Sequence, residues 1–166
     1  MQFELKSISP ESVPKPLEKA ERYRLLNEPS LAESICLDIL AISPSHQQAL
    51  ISLLLARTDQ FGYGATMKSA EEVLLRIEGA YERAYYAGLI WERQGHAHLR
   101  QHGLSRNANS YHALREAMAH YERAATLRPH GNDDAILRWN ACARVLMQNP
   151  EIRPMPEPEY QPIIGE

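Results

Sequence analysis

The 166-residue sequence predicts an all-α fold of about seven helices, and three observations carry that expectation. Glycine is scarce, at 8 residues, while alanine and leucine abound, a mixture that favours helix over a turn-rich β fold. Prolines gather at the two ends, and the interior holds only Pro29, Pro44 and Pro129. Between those breaks, small and apolar residues recur at steps of three and four, the period of an amphipathic helix.

Composition sets further bounds. The chain is 44% hydrophobic and 23% charged, as expected of one globular domain with tails. Its longest apolar stretch, Ala49 to Ala56, is too short to span a bilayer, so no membrane partner is expected. The opening residues, MQFELKSISPE, lack the apolar core of a secretory signal, and a cytoplasmic location is the expectation. A net charge of −3 argues against nucleic acid as a partner of the whole molecule. Cys36 and Cys142 could form at most one bridge, which is no disulfide scaffold.

Element by element, the chain begins with a lead-in over residues 1–12. The early prolines (Pro10, Pro14, Pro16) suggest extended backbone there, because proline lacks the donor a helix needs. Lys19, Ala20 and Tyr23 mark a first helix. Pro29 then sits where a first helical turn accepts proline, and Pro44 sits in a stop position. Leu53, Leu54 and Arg57 mark a third helix, followed by the turn Phe61 to Gly64 (FGYG). The fourth helix has two registers open, Ala70/Leu74/Ile77 and Thr66/Ala70/Val73, of which the first packs better. A long helix from Tyr81 to His102 should carry Gly88, Trp91, Gly95 and Leu99 on one face. The sixth should present Tyr111, Leu114, Met118, Tyr121 and Ala125, after a turn near Gly103 to Asn109. The seventh should run from Asp133 to Met147, with Asn132 as cap and acids in its first turn.

An internal repeat underlies this order. Ala32, Cys36, Ile39 and Pro44 have the same spacing as Ala117, Tyr121, Ala124 and Pro129. Upstream of the second set, Ala84, Ala87, Gly88, Trp91 and Gly95 alternate small and aromatic residues, as in a helix that a second helix approaches closely. The pattern resembles the tetratricopeptide repeat, a helix–turn–helix unit of about 34 residues. That resemblance implies an α-α superhelix, a solenoid of antiparallel helix pairs. Its repeats would span residues 13–46, 47–80 and 81–131, with a capping helix over 132–148 and a Pro-rich tail over 149–166. The third repeat carries a 17-residue insertion between Gly95 and Ala117, expected to project as a helical hairpin dispensable for folding.

Chemistry is sparse. No nucleophile motif, phosphate-binding glycine loop or paired metal-ligand cysteines occur, and no catalytic residue or cofactor is expected. Both cysteines fall at core positions of the repeat, where thiols are inert. His98 and His102, four apart, have the spacing of two imidazoles on one metal, with Glu92 or His112 as a third ligand; solvated histidines are the plainer account. Arg100, Arg106 and Arg115 make the insert basic.

The resemblance implies a concave groove lined by the first helix of each pair, binding an extended peptide or a partner helix. Its inward positions would be Leu17, Glu21 and Arg24; Ile51, Leu55 and Thr58; Tyr85, Leu89 and Arg93; and Ile136 and Asn140 from the cap. The carboxylate-clamp slots of the family hold Leu17, Glu21, Ser52, Glu82 and Tyr86, so that clamp is absent. Three functional classes follow. The first is an interaction module that binds another protein or peptide in the groove or at the hairpin. The others are a self-associating module (a homodimer being one form) and a metal protein built on the histidines. The tail, with Ile152, Met155, Tyr160, Ile163 and Ile164, is apolar enough to dock in the groove.

Overall fold

A computed structural model of the protein describes Met1 and residues 3–155. Seven α-helices follow one another: α1 (Pro14–Leu25), α2 (Pro29–Ile42), α3 (Gln47–Asp59), α4 (Met67–Leu74), α5 (Ala80–Arg100), α6 (Arg106–Leu127) and α7 (Asp134–Gln148). No strand occurs among the described residues; a lone bridge joins Phe61 to Ala65 across the α3–α4 turn. The helices α1, α3 and α5 begin at a constant step of 33 residues.

The early prolines depart from the extended lead-in expected of them. Pro14 and Pro16 lie in the first turn of α1, where backbone N–H groups have no intrahelical acceptor and proline loses nothing. Pro10 opens a short 3-10 turn, Pro10–Ser12, and Ile8 packs on the core. The Nδ1 of His46 accepts from the N–H of Ala49 at 3.2 Å and caps α3, and Thr66 caps α4. Thr66 therefore stands outside its helix, and the fourth helix buries Ala70 and Val73, with Ile77 just beyond its end, while Leu74 is half-buried. That face combines the two registers read from the sequence. A tie to neighbouring helices fixes it: Arg57 on α3 bonds Glu33 on α2 at 2.9 Å and donates to the Ser69 carbonyl on α4 at 2.7 Å.

Each helix lies against the next, and α1 also meets α3, as α3 meets α5. Two cores result. One gathers α1 to α4 with Leu89, Ile90 and Ala97 of α5; the other joins Ala84 of α5 to α6 and α7 around Tyr121. Helix α5, 21 residues and about 31 Å long, is thus buried on two sides, as a helix that joins two layers requires.

Glycine sets the approach of α5 to α6. A Cβ on Gly88 would lie 2.7 Å from the Tyr121 ring, and one on Gly95 would lie 3.0 Å from Cγ of Leu114. These pairs also show that α6 runs antiparallel to α5. The expected α6 face is present, shifted inward by Ser110, Ala113, Ala117 and Ala124, with Tyr111 and Ala125 at its margins.

The insertion does not project freely. Ala97 is buried in the first core, and Nη2 of Arg100 donates to the carbonyl of Phe61 at 3.1 Å, so the end of α5 rests on the FGYG turn. Phe61 is itself buried, anchoring that turn, while Gly62 and Gly64 take positive φ values of 88° and 117°. Ser110, Ala113 and Leu114, also within the insertion, are buried against α5. The fully exposed portion is only the short turn around Leu104. Part of the tail also departs from an extended course: Ile152 is buried, its N–H bonded to the Asn149 carbonyl at 2.9 Å. Tyr160, Ile163 and Ile164 lie outside the described residues.

The Gly88 contact gives a signed prediction. In an open helix, Gly→Ala stabilises by about 1 kcal/mol. At Gly88 the new methyl must displace a ring whose hydroxyl is hydrogen-bonded, and overpacking costs about 1–3 kcal/mol. Gly88→Ala should therefore lower the denaturant midpoint, with Gly103→Ser, at an open turn of positive φ, as a milder comparison. A midpoint raised by Gly88→Ala would contradict the seam as described.

Candidate functional site

A cleft of about 770 Å³ opens across α1, α3 and α5 near the ends of the first two. Arg24 and Leu25 line it from α1, Thr58 and Asp59 from α3, and Arg93, His96, Leu99 and Arg100 from α5; Asn27 and Tyr63 form its rim. Local sequence explains the charges. Asp59 is the last residue of α3, where the helix dipole disfavours an acid, so a cation must meet it. Arg24 does so, its Nε donating to Oδ2 at 2.8 Å, and Nη1 of Arg93 stands 3.6 Å from Oδ1. Arg24 itself lies in the last turn of α1, which favours a cation.

One carboxylate thus serves two arginines, with Arg100 a third cation in the same cleft. Among the described residues, the Nε of Arg93 is buried without a hydrogen-bond partner, an incompletely satisfied guanidinium. Leu25, at 89% exposed, and Tyr63, at 78%, give the cleft an uncovered apolar margin. Cationic forks beside apolar rims suit carboxylate or phosphate groups on an otherwise apolar chain.

Behind the α5 wall lies a buried polar network. Oε2 of Glu92 accepts from the Tyr121 hydroxyl at 2.6 Å, and Oε1 accepts from Nη1 of Arg138 at 3.1 Å. One acid therefore joins α5, α6 and α7. Burial, then the neighbouring Glu92, holds the Tyr121 phenol far above its usual range. Burial opposes the charge on Arg138, but Glu92 and Tyr85 outweigh it and keep the guanidinium protonated. His96, one turn beyond Glu92, lies 3.9 Å from that carboxylate. Its pKa is nonetheless lowered, by burial first and then by Arg93, Arg100 and Arg138 against the opposing pull of Glu92.

Of the groove positions read from the sequence, the cleft brings together Arg24, Thr58 and Arg93. Thr58 is buried, its hydroxyl turned to the Leu55 carbonyl at 2.8 Å. Leu17, Ile51, Leu55 and Tyr85 are half-buried against the first core, and Leu89 is fully within it. Glu21 is exposed and takes a hydrogen bond from Gln48 at 3.3 Å. Ile136 borders a small apolar pocket with Trp139 and Tyr121, and Asn140 is half-buried on α7. His98 faces Gln94 and Gln101, whereas His102 lies in the turn after α5, so the pair does not share a helix face. Among the described residues, no group of three or more His, Cys, Asp or Glu could hold a metal. No helix among them is long and apolar enough to cross a membrane. Both cysteines are free and buried, and burial pushes their thiols up, Cys36 to about 11 and Cys142 to about 12.

Sequence reasoning missed Asp59 and His96 as parts of one site and saw Glu92 only as a metal ligand. Two signals were available: an acid at a helix C-terminus, and an acid four residues after Gly88 on a face otherwise small and aromatic. Comparisons with protein-family models, with curated proteins and with solved structures find no match.

Burial lowers the pKa of both His96 and His120 below the ordinary 6.5. The unfolded chain therefore binds protons first as pH falls through that value. The neutral histidines contribute fully above pH 6.5, and that contribution is lost as pH drops through their lowered pKa values. Urea midpoints measured from pH 8 to 5 should fall less in His96→Gln/His120→Gln than in the parent protein.

Proposed function

We propose that this chain is a non-catalytic protein-interaction module of the tetratricopeptide kind, acting in the cytoplasm. In this reading its helix pairs wind as a short superhelix, and the cleft across α1, α3 and α5 receives an extended segment of a partner. The 33-residue step between first helices and their side-by-side packing support the repeat reading. The observation that carries the functional reading is the arginine cleft itself. Arg24 and Arg93 meet one carboxylate, with Arg100 lining the same cleft, beside an exposed leucine and tyrosine. The ligand chemistry that fits is a peptide bearing carboxylates next to apolar side chains.

A second reading, self-association, rests on α7, whose Leu137 and Met147 are 63% and 72% exposed. Light scattering of the parent and of Leu137→Glu tests it; a monomer in both discards it.

For the leading reading, an array of immobilised peptides varying in acid and apolar content is probed with the purified protein. Acidic–apolar sequences should be retained, and Arg93→Glu should lose them at least tenfold, the loss of about 1.4 kcal/mol that one charged contact carries. Retention indifferent to acids, or unchanged by Arg93→Glu, would overturn the reading.

A further inference from the structure

The cleft has a candidate occupant within the same chain. We propose that residues 156–166, the acidic and apolar end of the sequence, dock in the Arg24–Arg93–Arg100 cleft; this rests on the interaction reading above.

Three observations support this occupant. The first is register. Contacts Gly88–Tyr121 and Gly95–Leu114 set α5 antiparallel to α6, and Glu122–Trp139 with Arg128–Asp133 set α6 antiparallel to α7. Helix α7 therefore runs in the same direction as α5. Arg138 pairs with Glu92 at 3.1 Å, and from there α7 advances ten residues to Gln148, about 15 Å. An equal advance along α5 passes Arg93, His96 and Arg100. The chain thus leaves α7 level with the cleft, on the side of α5 reached through Glu92 and His96.

The second observation is the turn after α7. Burial of Ile152 draws the chain back onto the protein. From there, the fourteen residues to Glu166 span up to about 46 Å, ample for the width of one helix pair.

The third is complementarity. Residues 156–166 carry Glu157, Glu159 and Glu166 with no Lys or Arg, against three arginines in the cleft. Tyr160, Ile163 and Ile164 supply apolar side chains for Leu25, Leu99 and Tyr63. Pro156, Pro158 and Pro162 reduce the entropy that the segment loses on ordering.

The test uses the full chain. Both native thiols are buried, so nitroxides attach selectively at Leu104→Cys, on the exposed turn, and at Gln161→Cys. Pulsed electron resonance should give one narrow distance. Glu157→Lys/Glu159→Lys should broaden it without touching the helical body, as should Arg93→Glu. Joining the two sets of reversals should restore it at least in part. A broad distribution in the parent, or a narrow one indifferent to both reversals, overturns the proposal. A narrow distance that disappears when labelled chain is diluted into unlabelled chain assigns the contact to a second copy and overturns docking within one chain. Array peptides that bind while the tail stays away discard this inference alone; failure of both experiments discards the interaction reading too.

Discussion

The close approach of α5 to α6 is the constraint on which the rest depends. It exists because Gly88 and Gly95 leave room for the Tyr121 ring and for Leu114. With the helices that near, the Tyr121 hydroxyl reaches Glu92 at 2.6 Å, and Glu92 can still accept from Arg138 on α7. A residue larger than glycine would separate the helices and strand a phenol and an acid in a buried seam. An unpaired buried polar group costs about 1–3 kcal/mol, so packing and polar satisfaction fail together here. The network is thus a register device: only one sliding position of α6 and α7 along α5 pairs all three groups.

The cleft arises from a different constraint, the shared direction of α1 and α3. Both present carbonyl-rich C-terminal ends to the same region, and Asp59 adds a formal charge there. Arginine is suited to answer this, since its planar fork bonds in fixed directions and keeps its charge when half-buried. Among the described residues, the arginines gathered there exceed what Asp59 satisfies, as the Nε of Arg93, without a partner there, indicates. Structural compensation therefore explains why Arg24 is present, and among the described residues it leaves Arg93 only a 3.6 Å approach to Asp59 and Arg100 no carboxylate partner.

Helix order was legible because each start has a local cause. Pro29, the His46 cap at Gln47, the Thr66 cap and the acidic start of α7 all act within one turn. The small-residue pattern also disclosed the α5–α6 seam, since a glycine inside a helix must have a packing reason. Less legible was anything that depends on which helix lies across from which. Periodicity placed Leu89 and Thr58 inward and could not distinguish a groove lining from a core, and both are buried. It treated the segment between Gly95 and Ala117 as an appendage, because an insertion in a repeat has no template. In the fold, Ala97 and Arg100 of that segment hold the FGYG turn between α3 and α4. Arg24 and Arg93 were placed in the groove, but Asp59 escaped for the same reason: it lies 35 and 34 residues from them in sequence and meets them only through packing.

These two constraints meet in α5. Its one face receives α6 and α7 through Gly88, Glu92 and Gly95, and its other carries Arg93 and Arg100 into the cleft. The cleft wall is therefore fixed from behind, while the opposite wall is held by the Arg24–Asp59 bond. A rigid wall matters to the proposed binding of a peptide through arginines. An exposed arginine that must be ordered at the moment of binding loses much of the gain from the ion pair. Here the backbone under Arg93 and Arg100 is already clamped, and Arg100 is further tethered at 3.1 Å to Phe61. The same scaffold that makes α5 intolerant of added volume at Gly88 thus presents its guanidinium groups in a fixed array, which is what recognition of carboxylates in a defined order along a peptide requires.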